Sequence, residues 1–180
     1  YQREKISKGL YDAKNEDYIL FLDSDEIPNP KILENFYLKK KYAIFLQKMY
    51  VYKINIFNKY ETPWEGTRAC KKKFLKSFTH LRRKIEKRNT TKPFWSFKYE
   101  KSVELINEGG WHFNNLYSVE TIKKKIETFP HSEFHSDKYT NIENIKKRID
   151  NLEDLYGRGH KYEKVSLDGS YPNYILENIK

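Results

Sequence analysis

Tyr18-Ile19-Leu20-Phe21-Leu22-Asp23-Ser24-Asp25-Glu26-Ile27-Pro28 is the stretch that decides how this chain is read. A run of branched and aromatic apolar residues breaks off into three carboxylates within four positions, and a proline follows that blocks continuation of regular structure. The run predicts a buried β-strand. With the backbone extended past it, Asp23 and Asp25 project to the same side. Ligands in open α/β sheets bind at the carboxyl ends of strands. Two hard oxygen ligands at such a place suit Mg²⁺ or Mn²⁺, which in turn holds a diphosphate. The plainer reading of the same residues is a solvated acidic turn, since Asp-x-Asp is short and common.

Working outward, Ile6, Leu10 and Ala13 fall at helical spacing and predict an amphipathic helix over residues 3–14. Pro28-Asn29-Pro30 opens a second helix to about Lys39, with Ile32, Leu33, Phe36 and Tyr37 inward. Tyr42–Leu46 and Met49–Phe57 read as two strands, and the segment around Thr62–Gly66 as a loop. A basic helix is expected over residues 77–88, then a loop at Asn89–Pro93 and a short strand at Val103–Ile106. Gly109-Gly110 allows unusual backbone angles and the close approach of another chain or ligand. Ser118 caps a helix that Pro130 stops. Asn141 caps another, with Ile142, Ile145, Ile149, Leu152 and Leu155 as its stripe and Gly157 near its end. A strand is expected from about Tyr162. Strands alternating with helices favour a layered α/β fold.

The 180 residues fit a single domain, and a hydrophobic content of 38% suffices for a core. No run of about twenty apolar residues is present for a membrane span. Tyr1-Gln2-Arg3-Glu4-Lys5 is polar and not a signal peptide, and the sole Met is Met49, so the chain is expected to begin inside a longer protein. The single cysteine, Cys70, excludes an internal disulfide and a thiolate-rich zinc site. No pattern pairs it with a histidine, and it reads as structural.

The balance of 35 basic and 25 acidic residues gives a net charge of +10, which favours anionic partners: nucleic acid, phosphorylated sugars or an anionic membrane surface. The short runs Lys39–Lys41, Lys71–Lys73 and Lys123–Lys125 stand apart and read as solvated faces. A basic nucleic-acid-binding module is the alternative this charge raises, because aromatics stack on bases and lysines neutralise phosphates. The absence of an aromatic-basic recognition motif argues against nucleic acid. A metal-dependent phosphohydrolase built on Asp23 and Asp25 lacks the extra carboxylate and histidine ligands expected at tight spacing.

Several separated segments resemble glycosyltransferase family 17, the β-1,4-N-acetylglucosaminyltransferases that add the bisecting N-acetylglucosamine to N-glycans. They are Leu22-Asp23-Ser24-Asp25-Glu26-Ile27-Pro28, Gly109-Gly110-Trp111-His112-Phe113, and Lys125-Ile126-Glu127-Thr128-Phe129-Pro130-His131-Ser132-Glu133-Phe134. Tyr171-Pro172-Asn173-Tyr174-Ile175 is similar to the family's Leu-Pro-x-Tyr segment, with Tyr in place of Leu. The likeness spans nearly the whole chain in the same order.

The resemblance implies a GT-A-like, Rossmann-like nucleotide-sugar transferase domain. Only one helix and one strand are expected before the acidic motif, so the chain resembles the central and C-terminal part of such a domain, without its N-terminal strands. A non-catalytic transferase remnant is the further alternative this raises. The implied chemistry is inverting transfer of a sugar, N-acetylglucosamine, from a UDP-sugar donor to a hydroxyl of a glycan or glycoprotein acceptor, with Mn²⁺ or Mg²⁺ held by Asp23 and Asp25. His112 is expected as a third metal ligand or a substrate partner, and His131 is the competing metal ligand. Glu26 supports the loop or the donor sugar. Trp111 is placed as a sugar-stacking ring or a core residue. Arg68, Arg82 and Arg83 are candidates to share phosphate charge. Inversion needs a carboxylate base near the acceptor hydroxyl, for which Glu133 and Glu108 are the candidates. Animal members of the family act in the Golgi. A Lys- and Asn-rich chain with one Cys resembles a microbial or viral relative, expected in the cytoplasm.

Overall fold

The computed structural model describes residues 5–128 and 132–178. Its elements are β1 (Tyr18–Phe21), β2 (Glu26–Pro28), α1 (Pro30–Leu33), β3 (Tyr42–Val51), β4 (Ile56–Phe57), β5 (Trp64–Lys71), α2 (Phe78–Lys84), β6 (Val103–Asn114), α3 (Val119–Thr128), α4 (Asp137–Thr140), α5 (Ile142–Asp150), β7 (Glu163–Lys164) and α6 (Asn173–Asn178), joined in places by 3₁₀ turns. The fold is mixed α/β. The chain divides into two compact units. The first comprises Tyr1–Gln47 and Pro63–His112, the second Lys48–Thr62 and Phe113–Lys180. The divisions fall inside β3 and β6, the two longest strands. Among the described residues no helix is long and apolar enough to cross a membrane.

In the first unit the strand order is β1-β5-β3-β6-β2. β1 pairs antiparallel with β5, from Tyr18↔Lys71 to Phe21↔Arg68, and β5 antiparallel with β3. β3 and β6 advance in the same direction: Tyr42 N–H donates to the Ser102 carbonyl near the start of both, and Tyr52 N–H to the Asn114 carbonyl near their ends. The sheet is therefore mixed, where a Rossmann-like sheet would be mainly parallel. Both faces are covered. Ile19, Phe21, Tyr42, Ile44, Leu46 and Cys70 pack with Phe78 and Leu81 of α2, while Ala43, Phe45 and Ala69 pack with Ile32, Leu33, Phe36 and Leu38. Burial on both sides explains why β1 and β3 read as nearly continuous apolar runs.

Several expected boundaries shift for local reasons. Gly9 sits in the predicted first helix and weakens it, and only the 3₁₀ turn Ile6–Leu10 forms. The helix after Pro28 starts as expected, with the Asn29 side chain accepting from Lys31 N–H and Pro30 at its first position, but it ends at Leu33. Phe36 then packs its ring on Tyr18 and Phe45. The two strands predicted at Tyr42–Leu46 and Met49–Phe57 are one strand followed by a short return. Gln47, polar in sequence, is fully buried inside β3 and donates to Thr67 Oγ1 at 3.2 Å. The expected loop at Thr62–Gly66 gives way to β5, whose Gly, Glu and Arg conceal a buried strand. The short strand at Val103 continues through the glycine pair to Asn114. The basic helix forms as α2, with the Ser77 side chain accepting from His80 N–H, then yields to a 3₁₀ turn at Lys87–Thr91.

In the second unit β4 pairs antiparallel with the end of β3 (Tyr50↔Phe57) and with β7. Tyr50 carries an aromatic cluster, its ring 5.5 Å from Phe113 and 5.1 Å from Tyr171. α3 forms where predicted, with Thr121 N–H donating to Ser118 Oγ. Asn141 caps α5 through Asn144 N–H, but α5 stops at Asp150, short of the predicted stripe, and Leu152 takes φ +57° just beyond it. The strand from Tyr162 is reduced to Glu163–Lys164, and Tyr171-Pro172 leads into a helix, α6.

Candidate functional site

The site lies in the first unit, where the acidic segment meets the Gly-Gly-Trp-His segment. β1 ends at Phe21, and Asp23–Glu26 form a tight turn closed by Glu26 N–H donating to the Asp23 carbonyl at 3.0 Å. The turn replaces the extended backbone expected beyond β1, so the alternation that would aim Asp23 and Asp25 alike does not apply. β2 then pairs antiparallel with β6 in the register Glu26↔His112, Ile27↔Trp111, Pro28↔Gly110. The glycines serve this pairing. A Cβ at Gly110, which has φ +134°, would lie 2.0 Å from the Ile27 carbonyl oxygen, and one at Gly109 would lie 2.8 Å from Phe45 Cα. The close approach predicted for the glycine pair is that of the neighbouring strands.

The two aspartates go different ways. Asp25 Oδ2 lies 3.2 Å from His112 Nε2, and the imidazole is buried. Asp23 Oδ2 accepts from Arg82 Nη2 at 2.7 Å. The same Arg82 nitrogen donates to Glu26 Oε1 at 2.8 Å, and Arg82 Nη1 to the Gly66 carbonyl at 3.0 Å. The Glu26 side chain is 0% exposed and that of Asp23 41%, so the Glu26 pair is shielded from solvent and the Asp23 pair is largely screened. Glu26 Oε1 also accepts from Trp64 Nε1 at 3.0 Å, and Asp23 N–H reaches Glu26 Oε2 at 3.4 Å. Glu26 thus anchors the turn, the first of its two expected roles.

The remaining candidates separate by burial. Arg68 is buried, and its guanidinium donates to the main-chain carbonyls of Ile85, Glu65 and Gly66, so it braces the main chain of β5 and is not presented to a diphosphate. Burial, and then the charge of Arg82, pulls its pKa down to about 10. Arg83 is exposed. Trp111 is 6% exposed, a core position and not an open sugar platform. Trp64 is the half-buried aromatic at the site, edge-on to His112 with ring centroids 4.9 Å apart. Sequence reading placed Trp64 in a loop and left Arg82 undistinguished from its neighbours. Only the long-range pairing of β5 and α2 with the turn singles them out.

Glu108 is exposed in β6 with φ +48°, a conformation uncommon outside glycine, and its carbonyl accepts from Asn29 Nδ2. Glu133 is exposed on the 3₁₀ turn Ser132–Phe134 of the second unit. His131 lies outside the described residues. Cys70 is fully buried in β5, and burial pushes its thiol up to about 12, which keeps it protonated and unreactive. An aromatic disulfide reagent is therefore expected to label no cysteine in the native protein and one after unfolding; rapid native labelling would contradict this burial.

Among the described residues no three His, Cys, Asp or Glu side chains converge as a ready-made cation cage. The pair that does converge is Asp25 with His112, whose Nδ1 is buried without a hydrogen-bond partner among the described residues. One or two protein ligands suffice where substrate phosphates complete the coordination shell. A carboxylate with an imidazole fits Mn²⁺ better than Mg²⁺, which prefers oxygen throughout. The chain matches no protein-family model, no curated protein and no solved structure.

Proposed function

We propose that this chain is the catalytic part of a GT-A-like, metal-dependent inverting glycosyltransferase of the family 17 kind, moving N-acetylglucosamine from a UDP-sugar to a glycan hydroxyl. The observation that supports this reading is the register of β2 on β6. It joins the two motifs on which the resemblance most depends and sets Asp25 within 3.2 Å of His112.

In this reading Asp25 and His112 hold the cation, and Mn²⁺ is favoured. When bound, it neutralises the charge that builds on the departing diphosphate. Asp23 has a different task from the one its motif suggests: clasped by Arg82, it fixes the turn that presents Asp25. Glu26 and Trp64 hold that turn from beneath. Trp64, edge-on to His112, offers an apolar surface beside the metal pair for a sugar face. Of the two candidate bases, Glu108 stands on β6, the strand that carries His112, with an exposed carboxylate; Glu133 belongs to the second unit.

Incubation with Mn²⁺ and a panel of UDP-sugars, with and without glycan acceptors, tests the reading through release of UDP. Release is expected to be fastest from UDP-N-acetylglucosamine and to stop when the metal is chelated. No release from any donor, together with no Mn²⁺-dependent binding of UDP, would overturn it.

A further inference from the structure

The second unit contains a cavity of about 500 Å³ with a strongly basic lining. Lys138, Lys147, Arg148 and Lys161 border it, and among the described residues none of the four takes part in an ion pair. Two carboxylates also border it. Asp154 is already neutralised: it accepts from Arg158 Nε and Nη2 at 3.0 and 2.6 Å, from the N–H groups of Tyr156 and Arg158, and from the Tyr162 hydroxyl. Glu153 is left to oppose four cations, and the cavity carries a net positive charge.

The walls are built before any ligand arrives. Arg148 Nη1 donates to the carbonyls of Asp154 and Leu155, which fixes its guanidinium plane. His160, also on the lining, stacks flat on Tyr60 with centroids 4.2 Å apart and 5° between the planes. Its Nδ1 is buried and has no partner among the described residues. Gly157 and Gly159 take φ of +71° and +76°, and a Cβ at Gly159 would meet open space. Left-handed residues in a loop turn main-chain N–H groups toward a common anion. Here the Gly157 and Arg158 N–H groups already donate to Asp154, which leaves those of Gly159 and His160. A cationic cavity, a ring nitrogen lacking a partner and a glycine-hinged loop together call for a ligand with several acceptor oxygens and negative charge.

We infer that this cavity is a phosphoryl-binding site, filled by the phosphate of a nucleotide or of a phosphorylated sugar, with Lys147 and Lys161 supplying charge and the main-chain N–H groups of Gly159 and His160 supplying donors. The site stands on residues of the second unit and does not depend on Asp25 or His112.

The test is titration of the chain with inorganic phosphate, UDP and mannose 6-phosphate, followed by amide NMR and calorimetry. Saturable shifts of the Gly159 and His160 amides are expected with phosphate. They should weaken by roughly tenfold or more in Lys147→Gln/Lys161→Gln, since each lost charged hydrogen bond is worth about a factor of ten. Both lysines are exposed, and an otherwise unchanged spectrum shows that this variant is folded. Tighter binding of UDP than of inorganic phosphate assigns the site to a nucleotide, and tighter binding of mannose 6-phosphate assigns it to a phosphosugar; either upholds the inference. Phosphate shifts that do not saturate, equal affinity in the variant, or binding of single-stranded RNA without binding of any of the three probes would overturn it. Asp25→Ala is expected to keep its phosphate affinity, which separates this inference from the transferase reading.

Discussion

Asp25→Ala is expected to lower Mn²⁺-dependent UDP release by at least about 100-fold, the scale on which one preorganised charge-stabilising contact acts. The Asp25 side chain is 29% exposed, so its removal opens no core cavity. The loss of its contact with His112 costs about 1 kcal/mol, and the variant is expected to melt close to the parent. Asp23→Ala separates the two aspartates. It cuts a screened pair with Arg82, and activity should fall less than in Asp25→Ala. If Asp25→Ala turns over normally at saturating Mn²⁺, or if Asp23→Ala is the more damaged enzyme, the assignment of Asp25 and His112 as the cation-holding pair is wrong.

Arg82→Met carries the largest expected loss of stability. It leaves Glu26, whose side chain is fully buried, as a charge without its counter-ion, and such losses run to about 3–5 kcal/mol. Trp64 Nε1 still donates to Glu26 Oε1, but a neutral indole does not balance a carboxylate. Urea unfolding measures the change, with an unaltered slope as the sign of two-state behaviour. Adding Glu26→Gln to Arg82→Met should restore part of the loss, because the double variant no longer buries a bare charge. Arg82→Lys should also be costly, since a single ammonium cannot span Asp23, Glu26 and the Gly66 carbonyl as the guanidinium does. A double variant as unstable as Arg82→Met would mean that side-chain packing, not charge pairing, is what Arg82 supplies.

The parts of this fold that were legible in the sequence are those set by local chemistry. β1 was announced by its apolar run, α3 by Ser118, and the start of α5 by Asn141. β5 was hidden because a strand buried on both faces can still contain Gly66, Thr67 and Arg68 if each polar group finds a partner. Arg68 does so on main-chain carbonyls that no sequence pattern reveals. Gln47 likewise looked like a break between two strands and is an interior residue of one, its amide nitrogen donating to Thr67 across the sheet. At the site, the sequence left His112 and His131 as competing partners, and motif spacing pointed to Asp23 and Asp25 together and could not separate them. That distinction arises from Arg82, 59 positions away, which claims one carboxylate and leaves the other to the histidine.

The pairing of β2 with β6 has a kinetic consequence. The Asn29 side chain and the Glu108 carbonyl that flank it are 79 positions apart, so the chain must close a long loop before either motif meets the other. High contact order of this kind slows folding, and a nascent polypeptide still short of β6 contains the carboxylates without their histidine. If Asp25 and His112 hold a cation as proposed, its binding is expected only once β6 has paired with β2, and it would report on completion of the first unit more directly than helix content does.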